Sequence, residues 1–385
     1  MKVLLLVHGL DVGGAESMLA HLARHLRAAG DAVEIGCLGE LGTIGAELRD
    51  EGISVVVHAR GPGFDATLPA RLARHVRRGR FDAVHLHQRT ACVYGALAGM
   101  LHTVPIAYTE HGPFGAAPRP LRRLLNRGLG RRAARISAVS RDLAQQLASL
   151  EGFSGRDIVV IPNGVDRARW PNDAEQRERA RARCGLPPRA AILGSVGRLH
   201  VLKRHDVLVR MLVRLRETRP EAHLVLVGDG PEREALAALA DQLGVAGAVH
   251  FLGMRRDVER ILPAFDVFCH ASCCEGIPLT VLEAMAARVP VVAVSTGGIP
   301  EAMRSEVEGL LLTLHDAYDA AMPCAGAQLS GPGSDGTQFA AAVERLLGDA
   351  RLREQLVERA VARVQADFDL ATVCRRYREL LAAIA

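Results

Sequence analysis

The chain lacks several features that would place it in common classes of protein. No apolar stretch reaches the ~18 residues that a membrane-spanning helix needs, and the N-terminal segment runs into a glycine-rich turn without a signal-peptide cleavage site. Aromatic residues make up only 4% of the chain and are not interleaved with the arginines, which argues against nucleic-acid binding. These absences predict a cytoplasmic globular protein that has no nucleic-acid partner.

Cysteine pairs of the kind that bind zinc are also missing. The eight cysteines are scattered and include no C-x-x-C pair. Several of them, such as Cys37, Cys92 and Cys269, lie in apolar strand-like or helix-like patterns. This arrangement favours reduced structural thiols over a zinc site.

Lysine is the scarcest charged residue. It occurs only at Lys2 and Lys203, although the net charge is +5. The Arg- and Ala-rich composition is typical of a genome-wide coding bias, so arginine clusters are weaker functional signals here than usual. A lysine kept at position 203 against that background indicates a site that needs a compact point charge.

Strand-like and helix-like segments alternate along the 385 residues in two series. This βαβ rhythm predicts an α/β fold with two tandem Rossmann-like domains that face each other across a ligand-binding cleft. We predict a first domain over residues 1–166, a polar linker over 167–190 and a second domain over 191–366. A last helix, in residues 367–385, follows the second domain. From His315 to Thr337 the pattern breaks into Gly, Ser, Pro and Ala, which predicts a loop.

A glycine-rich turn opens the first predicted helix. Gly13 and Gly14 precede Glu16 there, but the turn does not satisfy the G-x-G-x-x-G dinucleotide pattern. Adjacent glycines at a helix start allow the backbone to approach a phosphate or a sugar. A tight turn without a ligand explains the same pattern equally well.

A second predicted helix start has an acidic residue on either side of it. Glu275 lies in the loop after a short buried strand, Pro278 suits the first turn of the next helix, and Glu283 lies inside that helix. A helix N-terminus attracts phosphate through its free amides and its dipole. Carboxylates beside such a site are suited to accept hydrogen bonds from hydroxyls, which a nucleotide sugar offers on both sides of its diphosphate. A capped helix with two solvated acids is the alternative.

Two cations belong with this helix start. Arg198 follows a predicted strand, and Lys203 stands just before the next helix. Both side chains are long enough to supply positive charge for a diphosphate, although they can also be ordinary surface charges.

Several short motifs in one order and spacing resemble the family-four retaining glycosyltransferases of the GT-B fold. The motifs are Gly13-Gly14-Ala15-Glu16, Thr109-Glu110-His111-Gly112, Ile161-Pro162-Asn163-Gly164-Val165-Asp166, Gly197-Arg198-Leu199 with Lys203, Val227-Gly228-Asp229-Gly230-Pro231, Phe251-Leu252-Gly253, and Glu275 with Glu283. Each motif alone is weak, but the ordered set is specific and covers nearly the whole chain.

The resemblance implies a role for each matching residue. A nucleoside-diphosphate sugar, UDP- or GDP-linked, would bind the second domain, and a sugar or lipid-linked acceptor would bind the first. The residues implied at the donor are Gly197, Arg198 and Lys203, the last two for the diphosphate, Met254 for the base, Glu275 for the sugar, Gly276, Ile277, Leu279 and Thr280 for sugar and phosphate, and Glu283 for the ribose. His111 would stand beside the anomeric carbon, and the catalytic set would be His111, Glu275, Arg198 and Lys203. The acceptor side would include Gly13, Gly14, Glu16 and Asn163, and the last helix would return to the first domain.

Two features depart from the family pattern. Pro278 stands where many family members have glycine, which removes one backbone donor. The loop from His315 to Thr337 is longer than the expected turn.

Neither metal ions nor cofactors are predicted. His85 and His87 alternate at a strand end but have no third ligand nearby in sequence. Asp367 and Asp369 form a D-x-D pattern, yet they fall between two terminal helices, where Asp is a common N-cap.

Weak association with anionic membranes is a further prediction. The segment from His111 to Arg135 has no acidic residue and combines arginines with a leucine stripe, as helices lying on anionic lipid do. These residues are Arg119, Arg122, Arg123, Arg127, Arg131, Arg132 and Arg135, with Leu121, Leu124, Leu125 and Leu129. A helix packed by its leucines with solvated arginines fits equally well.

The sequence therefore predicts a metal-independent, retaining sugar transferase for polysaccharide or glycolipid assembly, cytoplasmic or peripheral on the inner membrane face. Two alternatives stay open. One is a nucleotide-sugar epimerase on the same fold, and the other is a non-catalytic donor-binding protein.

Overall fold

The structure is a computed structural model that describes residues 1–112, 120–153, 157–170, 173–313 and 335–385. It divides into two compact units. The first unit ends at Gly164 and also takes in Leu370–Ala385, while Val165–Asp369 belongs to the second.

The first unit is built on a seven-stranded sheet in the order β3-β2-β1-β4-β5-β6-β7, and every neighbouring pair is parallel. Its strands are β1 (Lys2–Val7), β2 (Ala32–Cys37), β3 (Ser54–Val57), β4 (Ala83–His87), β5 (Ile106–Glu110), β6 (Arg135–Ala138) and β7 (Ile158–Val160). Its helices are α1 (Gly14–Ala28), α2 (Gly42–Asp50), α3 (Leu68–Gly79), α4 (Gln88–Gly99), α5 (Pro120–Arg132), α6 (Arg141–Ser149) and, at the end of the chain, α14 (Leu370–Ala382).

The second unit is built on a six-stranded parallel sheet in the order β10-β9-β8-β11-β12-β13. Its strands are β8 (Ile192–Val196), β9 (His223–Val227), β10 (Val249–Gly253), β11 (Val267–His270), β12 (Val291–Val294) and β13 (Leu310–Leu312). Its helices are α7 (Ala174–Arg183), α8 (His205–Arg216), α9 (Arg233–Gln242), α10 (Leu279–Ala286), α11 (Ile299–Ala302), α12 (Thr337–Gly348) and α13 (Ala350–Asp367).

Both sheets have the composition that parallel sheets require. Strands covered by helices on both faces lose contact with water on both sides, so they read as continuous apolar runs rather than as alternating patterns. The residues from Val3 to Val7 in β1 and from Val291 to Val294 in β12 are all buried. The prediction of an α/β fold with two Rossmann-like domains is thereby confirmed.

The polar segment after Asp166, which the sequence presents as a linker, folds with the second unit. It contains α7, whose Arg181 is 5% exposed and donates to Asp266 at 2.7 Å. Asp266 in turn accepts from the Ile192 amide at 2.7 Å, so this carboxylate joins α7 to the start of β8.

The helix α14 is held to the first unit by polar contacts at both of its faces. Arg378 donates to the buried Asp31 at 2.7 Å, and Asp31 also pairs with the Met1 ammonium at 2.9 Å. Tyr377 donates to the Ile161 carbonyl at 3.3 Å. The last helix therefore belongs to the first unit, where it packs against α1.

A glycine in the central strand β8 has no room for a side chain. A Cβ at Gly194 would lie 2.0 Å from the ring of Phe265, which is itself buried. We expect Gly194→Ala to lower the free energy of unfolding by about 1–3 kcal/mol, the usual cost of overpacking a core. Thermal unfolding measures the change. Gly247→Ala is the matched control, because nothing lies within 4 Å of its Cβ position; equal midpoints for the two variants would contradict the packing argument.

Candidate active site

The loop between β11 and α10 holds a buried carboxylate. All residues from Ala271 to Leu279 are buried, and Glu275 is 9% exposed. Its Oε1 accepts a charged hydrogen bond from Lys203 Nζ and a second one from His270 Nε2 at 3.0 Å. His270 ends β11, so the strand itself aims one of the two donors.

These two donors decide the charge of Glu275. Burial alone would raise the pKa of this carboxyl, because a charged group loses hydration in a low-dielectric site. The Lys203 ammonium and the hydrogen bond from His270 outweigh burial and hold the pKa of Glu275 well below its ordinary value. The side chain is therefore an ionised acceptor fixed in place before any ligand arrives.

Lys203 lies in a short turn after β8. Residues Val201–Lys203 form a single 3₁₀ turn, and Arg204 follows in the left-handed region with φ 49°. The Cys273 amide donates to the Leu202 carbonyl at 3.0 Å, which joins this turn to the loop that carries Glu275. Arg198, two residues after the end of β8, is exposed and makes no ion pair within the described part of the chain.

The loop after β12 packs against the loop that carries Glu275. Gly297 has φ +51°, and a Cβ there would lie 1.9 Å from the Glu275 carbonyl oxygen. Thr296 Oγ1 donates to the Cys273 carbonyl at 2.9 Å. Only glycine allows the two backbones to approach this closely, so the position of Glu275 depends on the segment after β12 as well.

The other donor-side residues lie around the same helix start. Pro278 is the N-cap of α10 and offers no side chain that could cap the first amides. Gly276, Ile277 and Leu279 are buried, while Thr280 is partly exposed. Among the loops at the ends of β8 and β10, Gly197 donates to the Val227 carbonyl at 2.9 Å, and Met254 is 56% exposed just after β10.

Glu283, in α10, has the opposite electrostatic character from Glu275. Burial raises the pKa of Glu283 to about 7, and the charge of Arg169 only partly offsets that rise. Two glutamates on either side of one helix start thus differ in protonation because only one of them has a cation in contact.

The first unit carries the remaining predicted site residues. Gly13 is the N-cap of α1, and a Cβ there would lie 2.2 Å from Glu16 Oε2. Glu16 Oε1 accepts from Gln88 Nε2 at 2.9 Å. Gly14 begins the helix, and Asn163 is buried at 5% exposure. Glu16 and Gly13 are therefore in contact, and Glu16 is paired inside its own unit.

His111 follows β5 and is 9% exposed. Its Nε2 lies 2.9 Å from His87 Nδ1. Burial lowers the pKa of His111 to about 4, so the imidazole is neutral at physiological pH.

His85 and His87 contact one another through their ring nitrogens, with His87 Nε2 3.2 Å from His85 Nδ1. The described residues contain no group of three or more His, Cys, Asp or Glu side chains that could hold a metal ion. Asp367, of the D-x-D pattern, ends α13 and pairs with Arg363 at 2.9 Å.

The expectation about the cysteines is confirmed for six of the eight and wrong for one, and the eighth, Cys324, lies outside the described residues. Cys37, Cys92, Cys184, Cys269, Cys273 and Cys374 are free thiols. Cys274, next to Glu275, is disulfide-bonded. Spacing along the sequence could not show this, since a disulfide depends on which sulfurs the fold brings together.

The structure tests the membrane prediction only in part. In α5, Leu124 is 63% exposed and Arg123, Arg127 and Arg131 are exposed, while Asn126 is buried. The side chains of Arg119, Leu121, Arg122 and Leu125, and the loop from His315 onward, lie outside the described residues. Within those that are described, helices are too short or too polar to cross a bilayer. Membrane association stays a prediction.

Sequence reasoning missed one residue that shapes this site. The sequence pattern assigns His270 no role, yet this histidine donates to Glu275. A histidine five residues before a carboxylate in a strand-to-loop segment was the available signal, but the spacing alone does not show that the loop folds back.

The chain matches two family models. "Glycosyltransferase Family 4" covers residues 12–169, and "Glycosyl transferases group 1" covers residues 190–349.

Curated relatives with similar sequences are named D-inositol 3-phosphate glycosyltransferases. The protein of Kribbella flavida is 32% identical over 374 residues, which cover 88% of this chain and 87% of the relative. That of Mycobacterium marinum is 32% identical over 359 residues, covering 85% and 75%. For relatives from Mycobacterium sp. strains KMS and MCS the match is 35% identical over 260 residues, and it spans 57% of their length.

Solved structures of similar fold cover the whole chain. Anabaena Alr3699/HepE in complex with UDP-glucose has a TM-score of 0.83 at 23% identity, with 100% of both chains covered. Sucrose-phosphate synthase from Thermosynechococcus elongatus has a TM-score of 0.79 at 20% identity, with 99% of both chains covered. The fold is thus that of GT-B proteins. With relatives above 30% identity matched over most of their length, this chain belongs to glycosyltransferase family 4.

Proposed function

We propose that this protein is a retaining glycosyltransferase that moves a sugar from a nucleoside-diphosphate sugar, UDP- or GDP-linked, to a hydroxyl acceptor. The polysaccharide or glycolipid pathways of a cell are the proposed setting. The observation that carries the proposal is the ionised Glu275, held by Lys203 and His270 at the start of α10.

The donor would bind along the loops at the strand ends of the second unit. Lys203 and the exposed Arg198 supply positive charge for the diphosphate, together with the uncapped amides at the start of α10. Glu275 accepts hydrogen bonds from sugar hydroxyls, Glu283 from the ribose, and Met254 contacts the base. The HepE structures, whose complexes contain UDP or UDP-glucose, support this class of donor.

The chemical problem is the charge that develops on the leaving diphosphate. The bond between the anomeric carbon and the phosphate oxygen breaks with its electron pair on the oxygen. The acceptor oxygen bonds to the carbon and gives its proton to the departing diphosphate or to solvent. The added negative charge must be neutralised by a cation or by fixed dipoles and side chains. Lys203, Arg198 and the α10 amides fill that role in the proposed reaction, so we propose transfer without a divalent metal.

The acceptor is assigned to the first unit, on the side that carries Gly13, Gly14, Glu16 and Asn163. His111, whose imidazole is neutral, would stand beside the anomeric carbon. The family resemblance supports these assignments, and so does the buried, polar character of His111 and Asn163.

Transfer from a panel of UDP- and GDP-sugars tests the function. Acceptors should include D-inositol 3-phosphate, after the named relatives, and lipid-linked sugars. We expect one donor to be consumed only when an acceptor is present. NMR should show the donor's anomeric configuration in the product, and the rate in excess EDTA should nearly equal the untreated rate.

The other outcomes identify the alternatives. A donor that changes into its epimer with no acceptor present indicates an epimerase, and a donor that binds but is never consumed indicates a binding protein. Activity that is lost in EDTA and restored by Mg²⁺ or Mn²⁺ contradicts the metal-independent reaction.

The second prediction concerns Lys203. Replacing it by alanine removes one charge from the diphosphate site, and losing one such positioned donor typically costs ~10²- to 10³-fold in rate. We expect Lys203→Ala to lower kcat in that range while circular dichroism stays unchanged. The chain offers a matched control in its other lysine: Lys2 lies over the Phe81 ring at 5.0 Å in the first sheet. If Lys2→Ala lowers the rate as much, general charge loss explains the result.

The third prediction follows from Glu283. Its pKa is raised to about 7 in the free protein, but the carboxyl must be ionised to accept both ribose hydroxyls. Donor binding therefore releases a proton below pH 7, and the affinity should fall as the pH drops through 7. We expect the Kd of the donor to be about tenfold weaker at pH 6 than at pH 8, measured by calorimetry.

Glu283→Gln serves as the control for this pH dependence. The variant should bind more weakly and with the same Kd at both pH values. A wild-type Kd that does not change between pH 6 and 8 would show that Glu283 is not the ribose acceptor or is already ionised.

A further inference from the structure

A chain of hydrogen bonds runs through the first sheet and ends at His111. His111 Nε2 lies 2.9 Å from His87 Nδ1, and His87 Nε2 lies 3.2 Å from His85 Nδ1. His85 Nε2 is 2.7 Å from Thr109 Oγ1, which is 2.6 Å from Ser137 Oγ. Parallel pairing of β4 with β5 and of β5 with β6 brings these side chains together. All five are buried.

Each hydrogen bond in this series holds a single proton. A link between two ring nitrogens needs one N–H donor and one bare nitrogen, and a neutral imidazole carries one proton. Burial lowers the pKa of His85 to about 3 and that of His111 to about 4, and the pKa of His87 is lowered too. With three neutral rings, placing the proton on one ring fixes it on the other two.

Only two arrangements remain, and they run in opposite directions. In the first, His111 donates to His87, His87 to His85, and His85 to Thr109. In the second, every donor and acceptor is exchanged, and His111 carries its proton on Nδ1. His111 Nδ1 is buried and has no partner among the described residues, so the second arrangement leaves a buried N–H unpaired.

The far end of the chain favours the first arrangement. Ser137 Oγ lies 3.4 Å from the Tyr108 carbonyl, which can only accept. In the first arrangement Ser137 receives the proton of Thr109 and donates its own to this carbonyl. The second arrangement leaves the Tyr108 bond unmade.

We propose that His85 and His87 are positioning residues that fix the proton of His111 on Nε2 and leave Nδ1 as a bare acceptor. The unpaired nitrogen is then the negative end of the imidazole dipole and the free end of the chain. Resting on the proposed function, this lone pair would stabilise the positive charge that develops at the anomeric carbon, which an N–H at the same position would oppose.

Thr109, three hydrogen bonds away from His111, should therefore determine which nitrogen of His111 carries the proton. Thr109→Val keeps the shape of the side chain but removes the acceptor for His85. Both arrangements then lose one hydrogen bond at that end, and the preference, about 1 kcal/mol or roughly fivefold for one hydrogen bond, disappears. Thr109→Ser keeps the hydroxyl and is the matched control.

The test is ¹⁵N NMR of histidine-labelled protein, with the His111 signals assigned by their loss in His111→Gln. In the wild type and in Thr109→Ser, His111 should carry its proton on Nε2 in about four-fifths or more of the molecules. In Thr109→Val that fraction should fall to about half. A wild-type protein with the His111 proton on Nδ1, or equal Nε2-protonated fractions in the Val and Ser variants, would contradict control of the His111 proton by these hydrogen bonds.

Kinetic measurements test, separately from the NMR experiment, whether this hydrogen-bond chain affects sugar transfer. If transfer is observed, Thr109→Val should lower kcat by about 1.6- to 2-fold without raising the donor KM, and Thr109→Ser should keep kcat. The NMR result stands whether or not any donor is consumed, so failure of the hydrogen-bond chain and failure of the proposed function are told apart. Thermal unfolding of both variants shows whether a loss of kcat reflects a loss of structure, and a folded Val variant with unchanged kcat would contradict the role in transfer.

Discussion

The contact among Glu275, Lys203 and His270 is the interaction on which the donor side of this protein depends. A carboxylate that is 9% exposed is costly unless it is paired and hydrogen-bonded. Lys203 and His270 provide both, and they arrive from separate strands: Lys203 from the turn after β8 and His270 from the end of β11. Adjacent parallel strands end at the same edge of a sheet, so β8 and β11 bring the two donors to one point.

Burial has different effects on the charge of the buried glutamates in the second unit and of the buried histidines in the first. In the second unit a cation keeps Glu275 ionised, whereas Glu283, without such a contact, has its pKa raised to about 7. In the first unit, burial lowers the pKa of His85 to about 3. The second unit thus presents a fixed anion and a titratable acid, and the first unit presents a neutral dipole.

Much of this could be predicted from the sequence, for physical reasons. The alternation of apolar strands with amphipathic helices defines the two sheets, because helices on both faces require continuous apolar strands. Lys203 was marked by its rarity, and Glu275 by its place before a helix start. His270 and the histidine chain could not be predicted in the same way. Their contacts depend on strand register, such as the pairing of His87 with Thr109 in β4 and β5, and a shift of one residue would separate them. The direction of a pKa shift likewise depends on which side chains come into contact in the fold. The sequence alone therefore does not show that the pKa values of Glu275 and Glu283 shift in opposite directions.

The central claim is that Glu275 is ionised and held in place before any donor binds. The direct measurement is a pH titration of its ¹³C-labelled side-chain carboxyl by NMR in the free protein, with the signal assigned by its loss in Glu275→Gln. The account predicts a midpoint below the ordinary value of 4.5, and a rise of that midpoint in Lys203→Ala. A midpoint at or above 4.5 in the wild type would contradict it, since burial would then outweigh the two donors.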